Sequence, residues 1–435
     1  MDKSQTNVVK HRGRRKGVLK IMKNKIAIIG GGASGMLAAI IASRNGAVVT
    51  IYERMNRIGR KILATGNGRC NLTNVNLKWD NPQCIHGSDI RFAGHILKQF
   101  TVEETIDFFE TLGIAHKVEE DGKVFPMSDQ ASSVLDVLRY ELEKLGVRVI
   151  CDTEIRKINR SGNKLKIADN NGAEYITDRI IIATGGRSNP NLGSNGSGYK
   201  LAEQLGHGII KPFPSLVQLK LEASFLKAIK GVKFDGMVSI DIDGHILRKE
   251  KGEILFTDYG ISGPPILQLS RIAIEALEDN KQPMIEIDMF PKHDYKELLD
   301  LIGLRFSYQY DRPLDFSFIG LINKRLIPII LRESGIHNIN RTCSEVSDKE
   351  MEQIIKLLKC WRFKVIGSQS WMHSQVTAGG VNLKDVCPNT LESKIIPGIY
   401  FAGELLDIDG DCGGFNLQWA WSSGYVAGTC ASKYR

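Results

Sequence analysis

The turn Gly30-x-Gly32-x-x-Gly35 restricts this chain more than any other feature, because of what stands on either side of it. The five residues before it, KIAII, form a short buried strand. MLAAIIASRNG after it forms a helix ending at Gly46, and AVVTIYE forms a second strand ending at Glu53. Strand, turn, helix and strand with short links make a βαβ unit, hence a parallel sheet with a right-handed crossover. Each glycine then has a task. Gly30 takes the tight turn, Gly32 lets the backbone approach a pyrophosphate, and Gly35 lets helix and strand pack closely. The free N–H groups of the helix start, through Ala33 and Ser34, face the phosphates. Glu53 lies 23 residues after Gly30, where a carboxylate can accept from ribose hydroxyls. The alternative is an ordinary glycine-rich turn with Glu53 on the surface.

There is one such turn. GSNGSGYK, residues 193–200, has its glycines in the wrong order and follows no strand directly. A chain with a single dinucleotide site keeps it for the tightly held cofactor, which favours FAD over NAD. IIIATGG, residues 180–186, is a second strand–turn element. Thr184 and Gly185 are small enough there to let the chain pass close to that cofactor.

Near the C-terminus, FAGELLDIDGDCGGFNLQWAWSSG crowds acids and glycines before an apolar helix pattern. A calcium loop would need glycine at its sixth position and glutamate at its twelfth. Counting from Asp407, those positions are Cys412 and Gln418. An anion reading fits better. A strand ends at Gly403-Glu404, and Gly413, Gly414, Phe415 and Asn416 open the helix. Its free N–H groups can point at the N1/O2 edge of a flavin, which becomes negative on reduction. Asp411 is then expected to hydrogen-bond ribityl or backbone groups, while the acids mainly shape the turn. No metal is expected.

The formal charge of +9 looks like a nucleic-acid signal, but residues 1–25 hold nine Lys/Arg and one acid, a net of +8, leaving about +1 for the other 410. Nucleic acid is therefore not the expected partner. Residues 1–24 are read as a disordered basic tail. No run of about 18 apolar residues exists, so no membrane partner is expected. Eight scattered cysteines without a C-x-x-C pair read as reduced thiols in a cytoplasmic protein.

Helical periodicity covers residues 103–112 and 132–145, and Asn171-Gly172 joins two strands. After Pro212 short alternating strands separated by glycines give a β-domain, and 264–344 reads as mostly helical. At Ile399 a strand returns to the style of the first domain. The fold expected is α/β. An FAD-binding Rossmann-like domain is split over 25–205 and 373–435, a small β-domain is inserted at 206–263 and 345–372, and a helical insert fills 264–344.

IAIIGGGASGMLAA, RIGRKILATGNGRCNLTN, ATGGRSNPNLGSNGSGY, LFTDYGISGPPILQLSR, QVTAGGV and YFAGELLDIDGDCGGFNLQWAWSSG together resemble one bacterial family of FAD-dependent oxidoreductases. That family includes aminoacetone oxidase and a bile-acid (3-oxo-Δ4,6) enone reductase. The likeness runs from about Lys25 to the C-terminus and implies FAD, a split Rossmann-like domain, a β-barrel-like form for the inserted β-domain at 206–263 and 345–372, and the helical insert; the basic tail departs from it. It also implies that Lys61, Asn67 and Arg69, in the donor-rich loop KILATGNGRCN, contact the cofactor. The other reading of that loop is structural, with Arg69 in a salt bridge.

Three activities follow as expectations. The favoured one is reduction of an activated C=C in a small molecule, such as a 3-oxo bile acid or steroid, by an FAD enzyme that NADH or NADPH recharges. Tyr259, Ser262 and His373 are its candidate substrate-side or acid–base residues. The alternatives are an oxidase of a small amine that makes peroxide, and a non-catalytic flavoprotein that uses the basic tail on nucleic acid.

Overall fold

The computed structural model describes residues 24–433; the expected tail over residues 1–24 lies, apart from Asn24, outside them. Five parallel strands form the central sheet in the order Ile399–Phe401, Arg179–Ile182, Lys25–Ile29, Val48–Tyr52, Arg148–Ile150. Parallel strands need both faces covered, and Ile26, Ile28, Ile51, Ile180, Ile181 and Phe401 are accordingly buried. Strand Arg179–Ile182 lies between Lys25–Ile29 and Ile399–Phe401, Ile180 opposite both Ala27 and Ile399, so segments from both ends of the described residues share this sheet.

A second unit is a closed antiparallel barrel. Its strands run Leu219–Leu221, Gly260–Ser262, His245–Phe256, Lys233–Ile242, Pro283–Asp288, Trp361–Ser368 and back to the first. Closure leaves no free sheet edge. The apolar core accordingly falls into two clusters, one of residues from 26–205 and 381–431, the other from 219–365. A two-stranded antiparallel ribbon, Ile209–Ser215 with Val376–Val381, runs between them.

Two assignments change. Pro283–Asp288, which the sequence placed in the helical insert, is a barrel strand between Lys233–Ile242 and Trp361–Ser368. Asp348–Lys359, placed in the β-domain, is an amphipathic helix with a Ser347/Glu350 capping box.

Candidate active site

The glycine turn leaves the sheet at Gly30, whose φ is +106° and whose N–H donates to Tyr52 O at 2.8 Å. A Cβ there would stand 2.4 Å from Ala183 O, so glycine is required. The Glu53 carboxylate is fixed beneath the loop by two backbone donors, Gly31 N on Oε2 and Met55 N on Oε1, each at 2.8 Å. At Gly32 the situation reverses: a Cβ would meet no atom within 4 Å. Helix Ala33–Arg44 then starts without a side-chain cap. Its orphan N–H groups are left for whatever fills the space in front of Gly32.

Helix Phe415–Ser432 also starts without a side-chain cap, from Gly414 in the left-handed region. The two helices run parallel with their backbones in contact. A Cβ at Gly424 would lie 2.5 Å from Ser34 O, and one at Gly428 would lie 2.6 Å from Ala38 O. Ser34 stands one residue into the first helix, whereas Gly424 stands nine residues into the second. At 1.5 Å per residue the second helix, longer by eight residues on that side, therefore begins ~12 Å beyond the first. Both mouths open into one cavity of about 530 Å³. A dinucleotide laid along it would set its pyrophosphate at the first mouth and its ring at the second, with the ribityl chain between.

Opposite the glycine loop, Lys61, Ser188, Glu404 and Thr377 form a polar network. Lys61 Nζ donates to Ser188 Oγ at 2.6 Å and to Glu404 Oε2 at 2.7 Å. Glu404 also accepts from Ser188 Oγ at 3.0 Å and Thr377 N at 2.8 Å. Thr377 Oγ1 accepts from the N–H groups of Arg187 and Ser188. Two of the three Lys61 donors are thus used, and both Lys61 and Glu404 line the cavity.

The three acids each hold a partner. Asp407 accepts from Ser88 N at 3.0 Å. Asp409, 1% exposed, is paired with Arg271 Nε at 3.1 Å. Asp411 binds Arg248 through both oxygens, at 3.0 and 2.9 Å, and His86 Nε2 at 2.8 Å. Burial raises the Asp409 carboxyl above its ordinary range, and Arg271 only partly opposes this. Burial pushes Asp411 the same way, but hydrogen bonds from His86 and Arg248 outweigh it and hold that carboxyl low. Arg248 lies on barrel strand His245–Phe256, and Arg271 on helix Pro264–Glu278. These pairs therefore fasten the barrel unit to the mouth of the C-terminal helix.

Of the residues singled out from the sequence, Gly30, Gly32, Ala33, Ser34, Glu53, Lys61, Asn67, Thr184, Gly185, Glu404, Asp411, Gly413, Gly414, Asn416 and His373 line this one cavity. The others do not. Gly35 is needed for packing, since a Cβ would lie 2.0 Å from Gly30 O. The Gly403 N–H donates to Ser423 Oγ at 2.8 Å, and Phe415 is buried beside Gly410 and Gly413. Arg69 turns away to Glu119 and to Asp129 at 2.8 Å, and stacks over Phe125. Removing it as Arg69→Met should leave FAD affinity within about twofold, as exposed ion pairs contribute little; an FAD titration checks this. Ser262 belongs to a barrel strand, Tyr259 spends its backbone O on Leu221 N, and neither lines the cavity. The sequence reading missed Gly31, Asn71, Leu216, Pro264, Leu267 and Trp419, all in the lining.

The HI0933-like protein Rossmann domain matches residues 24–430. The chain belongs to the HI0933-like Rossmann-domain family. Within it, a 3-dehydro-bile acid delta(4,6)-reductase of Clostridium scindens is 39% identical over 94% of this chain and 99% of its own. Ribosomal RNA dihydrouridine synthases of Haemophilus influenzae and Escherichia coli are each 30% identical, over 93% and 92% of this chain and 98% and 96% of theirs. This family member is an FAD-dependent oxidoreductase. The open space at Gly32, the two uncapped helix mouths and the Asn71 Oδ1, buried without a hydrogen-bond partner, suit FAD. Among the described residues no group of three or more His, Cys, Asp or Glu could hold a metal, no cysteine is paired, and no helix is long and apolar enough to cross a membrane.

Proposed function

We propose that this enzyme reduces a C=C bond conjugated to a carbonyl in a flat, apolar small molecule of steroid type, with NADH or NADPH as electron source. The observation that carries the reading is the far wall of the cavity. Leu216, Pro264, Leu267 and Val376 make it apolar, and His373 brings a titratable group to the same cavity. Reducing such a bond adds a hydride at the β-carbon and a proton at the α-carbon. FAD, once reduced by NADH or NADPH, would supply the hydride; His373 would give the proton to the α-carbon, and its backbone is fixed by a bond from its N–H to Ser370 O at 2.9 Å. The 39% identical relative supports an enone substrate by its name. Three of the four carboxylates of the lining are already engaged, Glu53 by backbone N–H groups, Glu404 by Lys61 and Asp411 by Arg248, and Glu154 meets Arg156 through Oε2 while its buried Oε1 has no partner; one oxygen left for an amine gives an amine-oxidase reading less support. A cytoplasmic location belongs to the same proposal.

A second reading rests on the two 30% identical relatives: a uracil ring also has a C=C conjugated to a carbonyl, so RNA is the other substrate to test. Anaerobic stopped-flow separates the readings. NADH or NADPH should bleach the flavin, and a 3-oxo-4-ene steroid should restore its colour. Restoration by unmodified ribosomal RNA alone would replace the small molecule with RNA. Bleaching by an amine, with peroxide on admitting air, would replace reductase with oxidase. His373→Gln should slow reoxidation by the enone about 100-fold and leave bleaching unchanged, in line with general-acid contributions.

A further inference from the structure

The run Asn71–Asn74 lies against the start of helix Phe415–Ser432, and three of its four residues are tied to that segment. Leu72 O accepts from Trp421 Nε1 at 3.0 Å, Thr73 Oγ1 donates to Gln418 Oε1 at 2.6 Å, and Asn74 Nδ2 donates to Gly413 O at 2.8 Å. Asn71 is the exception. The residue is 9% exposed, it lines the cavity, and its Oδ1 is buried with no hydrogen-bond partner among the described residues. A Cβ on Gly414 would stand 2.9 Å from that oxygen, so the carboxamide sits at the helix mouth. An unpaired buried acceptor destabilises the fold unless a ligand satisfies it.

We propose that the Asn71 carboxamide binds the imide edge of the flavin, with N3–H donating to Oδ1 and Nδ2 donating to the adjacent carbonyl. A helix start offers only N–H donors, and those suit any anion. Adding one acceptor beside them changes the ligand that fits: it must carry a hydrogen-bond donor, and an N–H flanked by carbonyl oxygen matches both atoms of the carboxamide. Phosphate and carboxylate groups have no such donor, and on oxidised isoalloxazine N3–H is the only ring N–H. A carboxamide presents a donor and an acceptor whichever way it is turned. The run beside it is anchored to the helix, so Asn71 is held in place for this contact. The assignment rests on FAD being the cofactor.

The test compares FAD with 3-methyl-FAD, which lacks the N3 proton, by titrating purified apoprotein and following flavin fluorescence. Wild type should bind FAD about 10-fold more tightly than the methylated form, the scale of one lost buried hydrogen bond. Asn71→Leu and Asn71→Ser should each discriminate by less than about twofold. Equal binding of the two flavins by wild type overturns the assignment. So does a folded variant that keeps the wild-type preference. A wild type that binds neither flavin fails the FAD assignment itself, and the Asn71 contact falls with it.

Discussion

Gly32→Ala will leave the apoprotein folded and cost it FAD. The backbone at Gly32 is extended, with φ −81° and ψ −168°, which any residue adopts. The new methyl meets no protein atom within 4 Å. Stability should change by no more than about 1 kcal/mol, the difference between glycine and alanine at an N-cap. The same methyl projects into the space the pyrophosphate needs, so FAD affinity should fall about 100-fold or more. Gly35→Ala, three residues on, should do the reverse. Its methyl would stand 2.0 Å from Gly30 O, a backbone atom that cannot turn aside. The loss there should be in stability, about 3 kcal/mol. Urea unfolding of both apoproteins and FAD titration of each make the comparison. If Gly32→Ala keeps wild-type affinity, the phosphate does not lie at this turn.

Arg271→Met should destabilise the protein by about 3–5 kcal/mol near pH 8, because it leaves the buried Asp409 charge without its partner. The penalty should shrink on acidification. The folded-state carboxyl of Asp409 already lies above its ordinary value through burial, and the charge of Arg271 works against that rise. Without Arg271 the folded-state value climbs further. Between the ordinary value and the raised one, the folded protein then holds more protons than the unfolded chain. Its stability therefore rises as pH falls through that window. Unfolding curves for wild type and variant at pH 8 and pH 5 should show a smaller gap at pH 5. Asp409→Leu combined with Arg271→Met should recover part of the loss at pH 8. A gap that widens at pH 5 would mean that Asp409 is not the charge left stranded.

The parts of this fold that a sequence displays are those made by neighbours in the chain. The glycine turn, its flanking strands and Glu53 fall within 29 residues, and strand Lys25–Ile29 and helix Ala33–Arg44 follow that reading closely. Helices Val102–Thr111 and Ala131–Lys144 lie one residue from the periodic windows. Strand His245–Phe256 escaped over most of its length, because HILRKEKGE alternates charge with little apolar content and its burial begins only at Ile254. Pro283–Asp288 has the alternation of a strand, but its barrel partners are far off in the chain and helices stand on both sides.

The site divides in the same way. Both helix mouths were legible from local glycines, and their convergence depended on recognising that the first and last segments build one sheet. The acids were not legible as clamps. Asp409 and Asp411 find their arginines 138 and 163 residues away, and no local spacing announces such a pair. Asn71 closes a loop read for its cations and its donors, so an acceptor left unused by the fold gave no signal. Tyr259 and Ser262 stand near Pro264 and Leu267 in the chain, but Ser262 belongs to barrel strand Gly260–Ser262, Tyr259 immediately precedes it, and neither lines the cavity that Pro264 and Leu267 line.

Two uncapped helix mouths are expected to hold one flavin nucleotide between them. Titrating the purified, flavin-stripped chain with FAD and following absorbance and fluorescence to saturation tests it most directly. The result predicted is one FAD per chain, with a yellow holoprotein and no saturable binding of a second. A chain that stays colourless and leaves FAD fluorescence unchanged, or that binds two flavins, would contradict it.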